Sequence, residues 1–189
     1  MRRRIFISIG LPEEVVHTLA EALKKWRWLP IRWSAEENWH MTIIPPFYAD
    51  EKELFAAKEV MAVVARNFEP FRLAFDSIIL APPDKKARMI WFSGPQSKKL
   101  EEFKQKIEEV FLHSGAIFSL KHEKRSVASH ITLARFEEGN LHELEQKTRI
   151  LEELKLSFLA EAVDITESNL KSSGAEYETL SRISFGGGR

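Results

Sequence analysis

The residues best suited to chemistry in this sequence are two histidines, each followed two positions later by a threonine. The first pair is His40 and Thr42 in "NWHMTII", and the second is His130 and Thr132 in "ASHITLAR". On a strand, residues i and i+2 point to the same face, so each pair presents an imidazole beside a hydroxyl. Composition alone would give about 0.2 such pairs. One pair is typical of a structural histidine, but two indicate function.

Two imidazoles, each beside a hydroxyl, match the requirements of an in-line displacement at phosphorus. Imidazole titrates near neutral pH, so one ring can accept a proton from the attacking oxygen while the other donates one to the leaving oxygen. The hydroxyls can donate hydrogen bonds to the non-bridging phosphoryl oxygens, where negative charge must be stabilised. The residues by themselves do not decide which histidine is the acid and which is the base.

Three further residues near the pairs are candidates for substrate binding. Arg135 could place a positive charge beside a phosphate if its strand bends or ends there, and a surface ion pair is the alternative. Phe47 and Tyr48, in the "IPPFYAD" that follows the first pair, could stack on a nucleobase or instead cover the core. The basic cluster "KHEKR" at 121–125 could contact an RNA backbone, although a solvated loop is the simpler interpretation.

The elements that must position these residues repeat along the chain. Each half follows the order strand, helix, strand, helix, strand, and each His-x-Thr pair lies on the second strand of its half. Asp50 is the predicted N-cap of the helix after the first pair, with Glu53 completing a capping box. A single strand is predicted over 156–166. The positions that correspond between the halves are Arg4 with Arg88, His40 with His130, Asp50 with Asn140, and Phe71 with Phe158.

This internal repeat predicts a single domain over residues 1–189, built from two pseudo-twofold-related lobes over 1–86 and 87–189. The order of elements favours a bilobal, duplicated α+β fold with two antiparallel sheets and outer helices around a central cleft. The two His-x-Thr strands would then face each other across the cleft and approach one phosphate from opposite sides.

Composition excludes several classes of protein. The chain of 189 residues has 28 Lys+Arg and 28 Asp+Glu, so its formal net charge is zero and any contact with nucleic acid must use a local patch. The absence of cysteine excludes disulfides and thiolate zinc sites and is typical of a cytoplasmic protein. No apolar run approaches a membrane span, and no metal-binding motif is present. These features agree with a protein that uses no metal and no cofactor and does not associate with a membrane, and we expect it to be a monomer.

Several segments together resemble the 2H phosphoesterase superfamily, which is named for two His-x-Thr motifs. They are "RIFISIGLPEEV", "RWSAEENWHMTI", "HITLARF" and "ESNLKSSGAEYETLSRISF", and they span nearly the whole chain. Within the superfamily the sequence is similar to the LigT/ThpR-type RNA 2′,3′-cyclic phosphodiesterases, also called 2′-5′ RNA ligases. One departure is "IPPFYAD" after the first motif, which has two prolines where members often have an apolar residue and a glycine.

The resemblance implies a bilobal α+β fold in which both motifs line a central cleft. It implies that His40 is the proton donor and His130 the proton acceptor. The implied reaction is metal-independent hydrolysis of a 2′,3′-cyclic phosphate, at an RNA end or in a small cyclic nucleotide, to a 2′-phosphate, with the reverse 2′-5′ joining of RNA ends. Two alternatives remain open: a non-catalytic nucleotide- or RNA-binding module on the same fold, and a related cyclic phosphodiesterase with another substrate.

Overall fold

The computed structural model describes residues 2–114, 129–137, 141–171 and 174–186. Within these ranges the strands are β1 (Arg3–Gly10), β2 (Arg32–Trp33), β3 (His40–Ala49), β4 (Phe71–Ala81), β5 (Met89–Ser93), β6 (His130–Arg135), β7 (Leu151–Ala160), β8 (Ala162–Lys171) and β9 (Gly174–Ser184). The helices are α1 (Glu13–Leu23), α2 (Glu51–Arg66), α3 (Lys98–Ser114) and α4 (Leu141–Lys147), with short 3-10 turns at Lys24–Trp26 and Glu36–Asn38.

The strands of the described ranges form one antiparallel sheet, in the order β7-β4-β5-β6-β3-β1-β8-β9, with β2 added beside β6. The predicted α+β class is therefore confirmed. The two sheets expected from the sequence are joined edge to edge, because β3 and β6 pair at Met41 and Ile131. The two His-x-Thr strands are thus neighbours within a sheet and do not form opposite walls of a cleft.

Strands from the two halves of the chain are interleaved in this sheet. β4 from the first half of the chain pairs with β5 from the second, and β8 from the second half pairs with β1 from the first. Phe71 and Phe158, matched above as corresponding positions, lie on adjacent strands with Leu73 opposite Phe158. They are therefore not symmetry-related in the sheet. The division into pseudo-twofold halves at residues 86 and 87 stays a prediction.

The strand predicted over 156–166 is wrong, because two strands occupy that range. Glu161 alone connects β7 with β8. However, β7 pairs with β4 on one side of the β3–β6 pair, and β8 pairs with β1 on the other side. Consecutive residues must lie adjacent, so the sheet curls until the ends of β7 and β8 meet. The sequence has no glycine or proline at this point to mark the break.

Helices and strands share one hydrophobic core. Ile5, Ile7 and Ile9 on one face of β1 are buried together with helix residues such as Leu19 and Phe103. The predicted capping box of α2 is confirmed, because the Asp50 side chain accepts a hydrogen bond from the Glu53 amide and the Glu53 carboxylate accepts one from the Asp50 amide. No described helix combines the length and the apolar character needed to cross a membrane. The cytoplasmic location and the monomeric state stay predictions.

Gly94, directly after β5, lies against the backbone of β4 with no room for a side chain. A Cβ atom there would lie 2.0 Å from the carbonyl oxygen of Ala74 and 2.8 Å from the Cα of Phe75. This overlap could be removed only if residue 94 and the backbone of β4 moved apart. Gly94→Ala is therefore expected to lower the free energy of unfolding by about 2–3 kcal/mol, measured by urea denaturation. Gly10→Ala is the matched control, since its Cβ would meet one Asp164 oxygen at 3.4 Å. Equal losses in the two variants would contradict this explanation.

Candidate active site

The two His-x-Thr pairs lie side by side at the junction of the sheet. Because β3 and β6 are antiparallel with Met41 opposite Ile131, His40 lies opposite Thr132, and the other threonine and histidine oppose each other in the same way. Directly opposed Cβ atoms are about 4.5–5.5 Å apart, and diagonal neighbours, here the two histidines, about 7–8 Å or less. Met41 and Ile131 are fully buried, whereas the four polar side chains are half-buried on the open face.

Each pair is followed by an extra residue in its strand, which changes the side chains that reach the open face. The register of β3 with β1 shifts by one across Ile43, and the register of β6 with β5 shifts by one across Leu133. A bulge of this kind reverses the alternation of faces. Leu133 and Ala134 are consequently both buried, and Arg135 is exposed. The bulge explains how Arg135 reaches the site despite its odd spacing from His130.

The open face at the junction forms a pocket of about 210 Å³. Five of the seven predicted site residues line it, namely His40, Thr42, His130, Thr132 and Arg135. The remaining lining residues, which sequence reasoning missed as site residues, are Arg4, Phe6, Ser34, Asn38, Pro46 and Tyr177.

The imidazole of His40 is held in one orientation and one tautomer. Its Nδ1 lies 2.7 Å from the backbone carbonyl oxygen of Asn38, which can only accept a hydrogen bond, so Nδ1 carries a hydrogen. The other ring nitrogen, Nε2, is then the atom that gains or loses a proton. Phe6 lies 4.8 Å from the ring, and Tyr177 meets it edge-on at 5.2 Å between centroids.

Burial lowers the pKa of His40 from its ordinary value near 6.5. The hydrogen bond to the Asn38 carbonyl opposes this effect by stabilising the imidazolium, while the positive charges of His130 and Arg135 lower the pKa further. Repulsion between the two imidazoles means that protonation of one disfavours protonation of the other.

His130 also packs against an aromatic ring from its neighbouring strand. Trp91 of β5 stacks on it, with centroids 3.9 Å apart and an angle of 25° between the planes. Phe6 of β1 contacts His40 in a comparable way on the other side of the junction. Each imidazole is therefore supported by a ring from the strand on its outer side, which restricts its rotation.

Phe47 and Tyr48 do not line the pocket. Phe47 lies opposite Ile5 on the buried face and is only 6% exposed, so the prediction that it stacks on a nucleobase is wrong. Phe47 keeps the buried face that alternation from Met41 gives it, because a second register shift of β3, in the proline-containing segment before Phe47, cancels the first. Tyr48 is exposed opposite Arg4 but lies outside the pocket. The basic cluster at 121–125 lies outside the described residues.

A sequence signal existed for two of the missed residues. Arg4 and Phe6 alternate with the buried Ile5 and Ile7 of β1, so they share the face opposite the core. That face is the open one once β1 is known to pair with β3. Tyr177 had no such signal, because only the folding of β9 beside β8 brings it to the pocket.

The sequence matches a known family over its first half. Residues 9–91 match the family described as LigT like Phosphoesterase, a range that includes the first His-x-Thr pair but not the second. The RNA 2′,3′-cyclic phosphodiesterase of Bacillus subtilis (strain 168) is 26% identical over 136 residues, which are 71% of this chain and 72% of that protein. The Thermotoga maritima protein of the same name is 24% identical over 190 residues, covering 98% of this chain and 97% of that protein.

Solved structures share the fold at low sequence identity. A Thermus thermophilus protein superposes with a TM-score of 0.77 at 23% identity, covering 96% of this chain and 97% of that one. Escherichia coli LigT in its apo form superposes with a TM-score of 0.75 at 17% identity, covering 98% of this chain and 99% of that one. LigT has also been solved with 3′-AMP and with phosphate. At these identities the likeness establishes the fold.

Proposed function

We propose that the chain is a LigT-like phosphoesterase and acts as an RNA 2′,3′-cyclic phosphodiesterase. Its substrate is the cyclic phosphate at an RNA end, or a small 2′,3′-cyclic nucleotide, and its product is the 2′-phosphate. The observation that carries this proposal is the meeting of two imidazoles and two hydroxyls on one open face at the β3–β6 junction. The activity for which the bacterial relatives are named supports it.

In this proposal the two histidines act as one acid and one base. His130 takes a proton from water as its oxygen attacks phosphorus, and His40 donates its Nε2 proton to the 3′ oxygen as the bond from that oxygen to phosphorus breaks. The products are a 2′-phosphate and a free 3′-hydroxyl. The roles follow the family resemblance, and the hydrogen bond from His40 Nδ1 to the Asn38 carbonyl supports them by stabilising the imidazolium.

The two threonine hydroxyls and the arginine stabilise the negative charge on the phosphate. Thr42 and Thr132 donate hydrogen bonds to the non-bridging oxygens, and Arg135 adds a positive charge beside them. If the 5′-hydroxyl of a second RNA replaces water, the same displacement forms a 2′-5′ phosphodiester. The reverse joining reaction is therefore included in the proposal.

The electrostatic repulsion between the protonated forms of the two histidines favours an enzyme over a binding module. A site that only holds a phosphate gains from two positive imidazoles at once, whereas repulsion between His40 and His130 disfavours that state. Acid–base catalysis needs one protonated imidazole, which acts as the acid, and one neutral imidazole, which acts as the base.

The test is incubation of the protein with 2′,3′-cyclic AMP and, separately, with an RNA that ends in a 2′,3′-cyclic phosphate. EDTA is present throughout, and phosphorus NMR identifies the product. Conversion to the 2′-phosphate supports the proposal. Binding without turnover would favour the non-catalytic module. Formation of a 3′-phosphate would show that the bond between phosphorus and the 2′ oxygen breaks instead of the bond to the 3′ oxygen. Dependence on added metal would overturn the mechanism.

The pH profile of the reaction is expected to show the low pKa of His40. In the free enzyme kcat/KM requires a protonated His40, so it should fall as the pH rises through that pKa, which lies below 6.5. A bound phosphodiester anion favours the imidazolium and raises the pKa, so the basic limb of kcat should lie at higher pH than that of kcat/KM. Steady-state kinetics from about pH 4.5 to about pH 9 would test this. The opposite order of the two limbs would contradict His40 as the acid.

A further inference from the structure

The pocket of the two histidines opens into a second and larger pocket. The residues that line both are Arg4, Ser34, Asn38, Arg135 and Tyr177. The second pocket has a volume of about 500 Å³, and its further lining residues are Arg32, Trp33, Ala35, Leu170 and Ala175. A cavity of this size falls in the range that binds a small ligand such as a nucleotide. The two pockets therefore form one cleft that leads away from the histidines.

The second pocket is positively charged although the whole chain is neutral. Its described lining contains three arginines and no carboxylate. Arg4 donates a hydrogen bond to a serine hydroxyl at 2.6 Å, and Arg135 donates one to a methionine sulfur at 3.0 Å, so neither partner neutralises the charge. Arg2 and Arg3, which precede Arg4 in the chain, each pair with a glutamate instead. The charge of this cleft is thus available to an anion.

Two of these arginines directly oppose each other. Arg32 of β2 pairs with Arg135 of β6, and directly opposed residues of an antiparallel pair share a face. Like charges in this position destabilise the pairing. An anion bound between them would remove that repulsion and accept hydrogen bonds from both guanidinium groups.

Aromatic and apolar surface lies beside the charge. Trp33 and Tyr177 line the pocket, and Leu170 lines it while remaining 69% exposed. The guanidinium of Arg27 lies 5.1 Å from the centroid of the Trp33 ring, which holds that ring in place. Aromatic rings next to a cationic groove are the arrangement that binds single-stranded nucleic acid, because bases stack on the rings while the groove contacts the phosphates.

We propose that this second pocket binds the nucleotide that precedes the cyclised one, and that the preferred substrate is therefore an oligonucleotide end. The preceding phosphodiester lies between Arg32 and Arg135, and a base stacks on Trp33. This inference rests on the proposed function. The polarity follows from chemistry: a strand that ends in a 2′,3′-cyclic phosphate carries its other phosphodiesters only on the 5′ side of the terminal nucleoside.

The experiment compares 2′,3′-cyclic AMP with the dinucleotide ApA that ends in a 2′,3′-cyclic phosphate. Two hydrogen bonds from guanidinium groups to a phosphodiester are expected to raise kcat/KM of the dinucleotide by at least about 10-fold, mostly through KM. Arg32→Gln should reduce this ratio to near one, and added salt should reduce it in the wild type. Arg72→Gln is the matched control, because Arg72 is likewise an exposed arginine on a strand, β4, but does not line the pocket. It should leave the ratio unchanged.

Turnover of the mononucleotide reports on the proposed function, and the ratio reports on this inference, so the two can fail separately. Equal kcat/KM for the two substrates, or an equal ratio in wild type and Arg32→Gln, would overturn the second-nucleotide site while leaving the phosphodiesterase in place. Direct binding provides a readout that needs no turnover. The ApA product with a 2′-phosphate should bind at least about 10-fold more tightly than adenosine 2′-phosphate, and this difference should be lost in Arg32→Gln.

Discussion

Replacement of His130 with alanine is expected to lower kcat for 2′,3′-cyclic AMP by at least about 10²-fold, because the attacking water loses its general base. His40→Ala should cost a comparable factor through loss of the general acid. Since the two rings act on one displacement, the double variant should be only slightly slower than the worse single variant. Single-turnover measurements of product formation would isolate the chemical step from binding and release.

Controls for these variants separate chemistry from folding. His17→Ala changes an exposed histidine of α1 and should leave kcat unchanged. The free energy of unfolding should be measured for every variant, because His130 stacks on Trp91 and its removal leaves space beside that ring. His130→Gln fills more of this space and should be as inactive as the alanine variant. A glutamine variant with near wild-type kcat would show that His130 positions the substrate without transferring a proton.

The meeting of the four motif side chains on one face of each strand was predictable because it depends on a local rule. The period of two along a strand places His40 with Thr42, and His130 with Thr132, on one face whatever the strands pair with. The pairing itself was not predictable, because β3 and β6 meet across 90 residues of sequence at Met41 and Ile131. The expectation of opposite walls failed for this reason, although both arrangements bring the same four side chains to one pocket.

The number of register shifts in each strand explains why predictions beyond the motifs had different outcomes. Arg135 reaches the pocket because the register of β6 shifts once, across Leu133, whereas Phe47 stays on the buried face because the two shifts of β3 before it cancel. Each shift exchanges the faces of every later residue in the strand. Leu133 and Ile43 at the first bulge of each strand have no conformational signature, so the sequence does not show that alternation from the motif fails at Arg135 and holds again at Phe47.

The same geometry gives the threonines a testable role. Thr132 lies opposite His40, so its hydroxyl and the imidazole can contact the same phosphate. Removal of one hydrogen-bond donor to the developing charge costs about 10²-fold in kcat, and Thr132→Val is expected to show a loss of this size. Valine keeps the shape and the β-branch that suit a strand, so stability should change little.

Thr132→Ser distinguishes the hydroxyl from the shape of the side chain. Serine keeps the donor but lacks the methyl group, so it should retain most of the wild-type kcat while valine does not. If threonine were present only because a β-branched residue packs well in β6, valine would be the active variant and serine the impaired one. The order of the two rates therefore decides between phosphate binding and packing. Thr42, which opposes His130, should show the same order because it occupies the equivalent position across the junction.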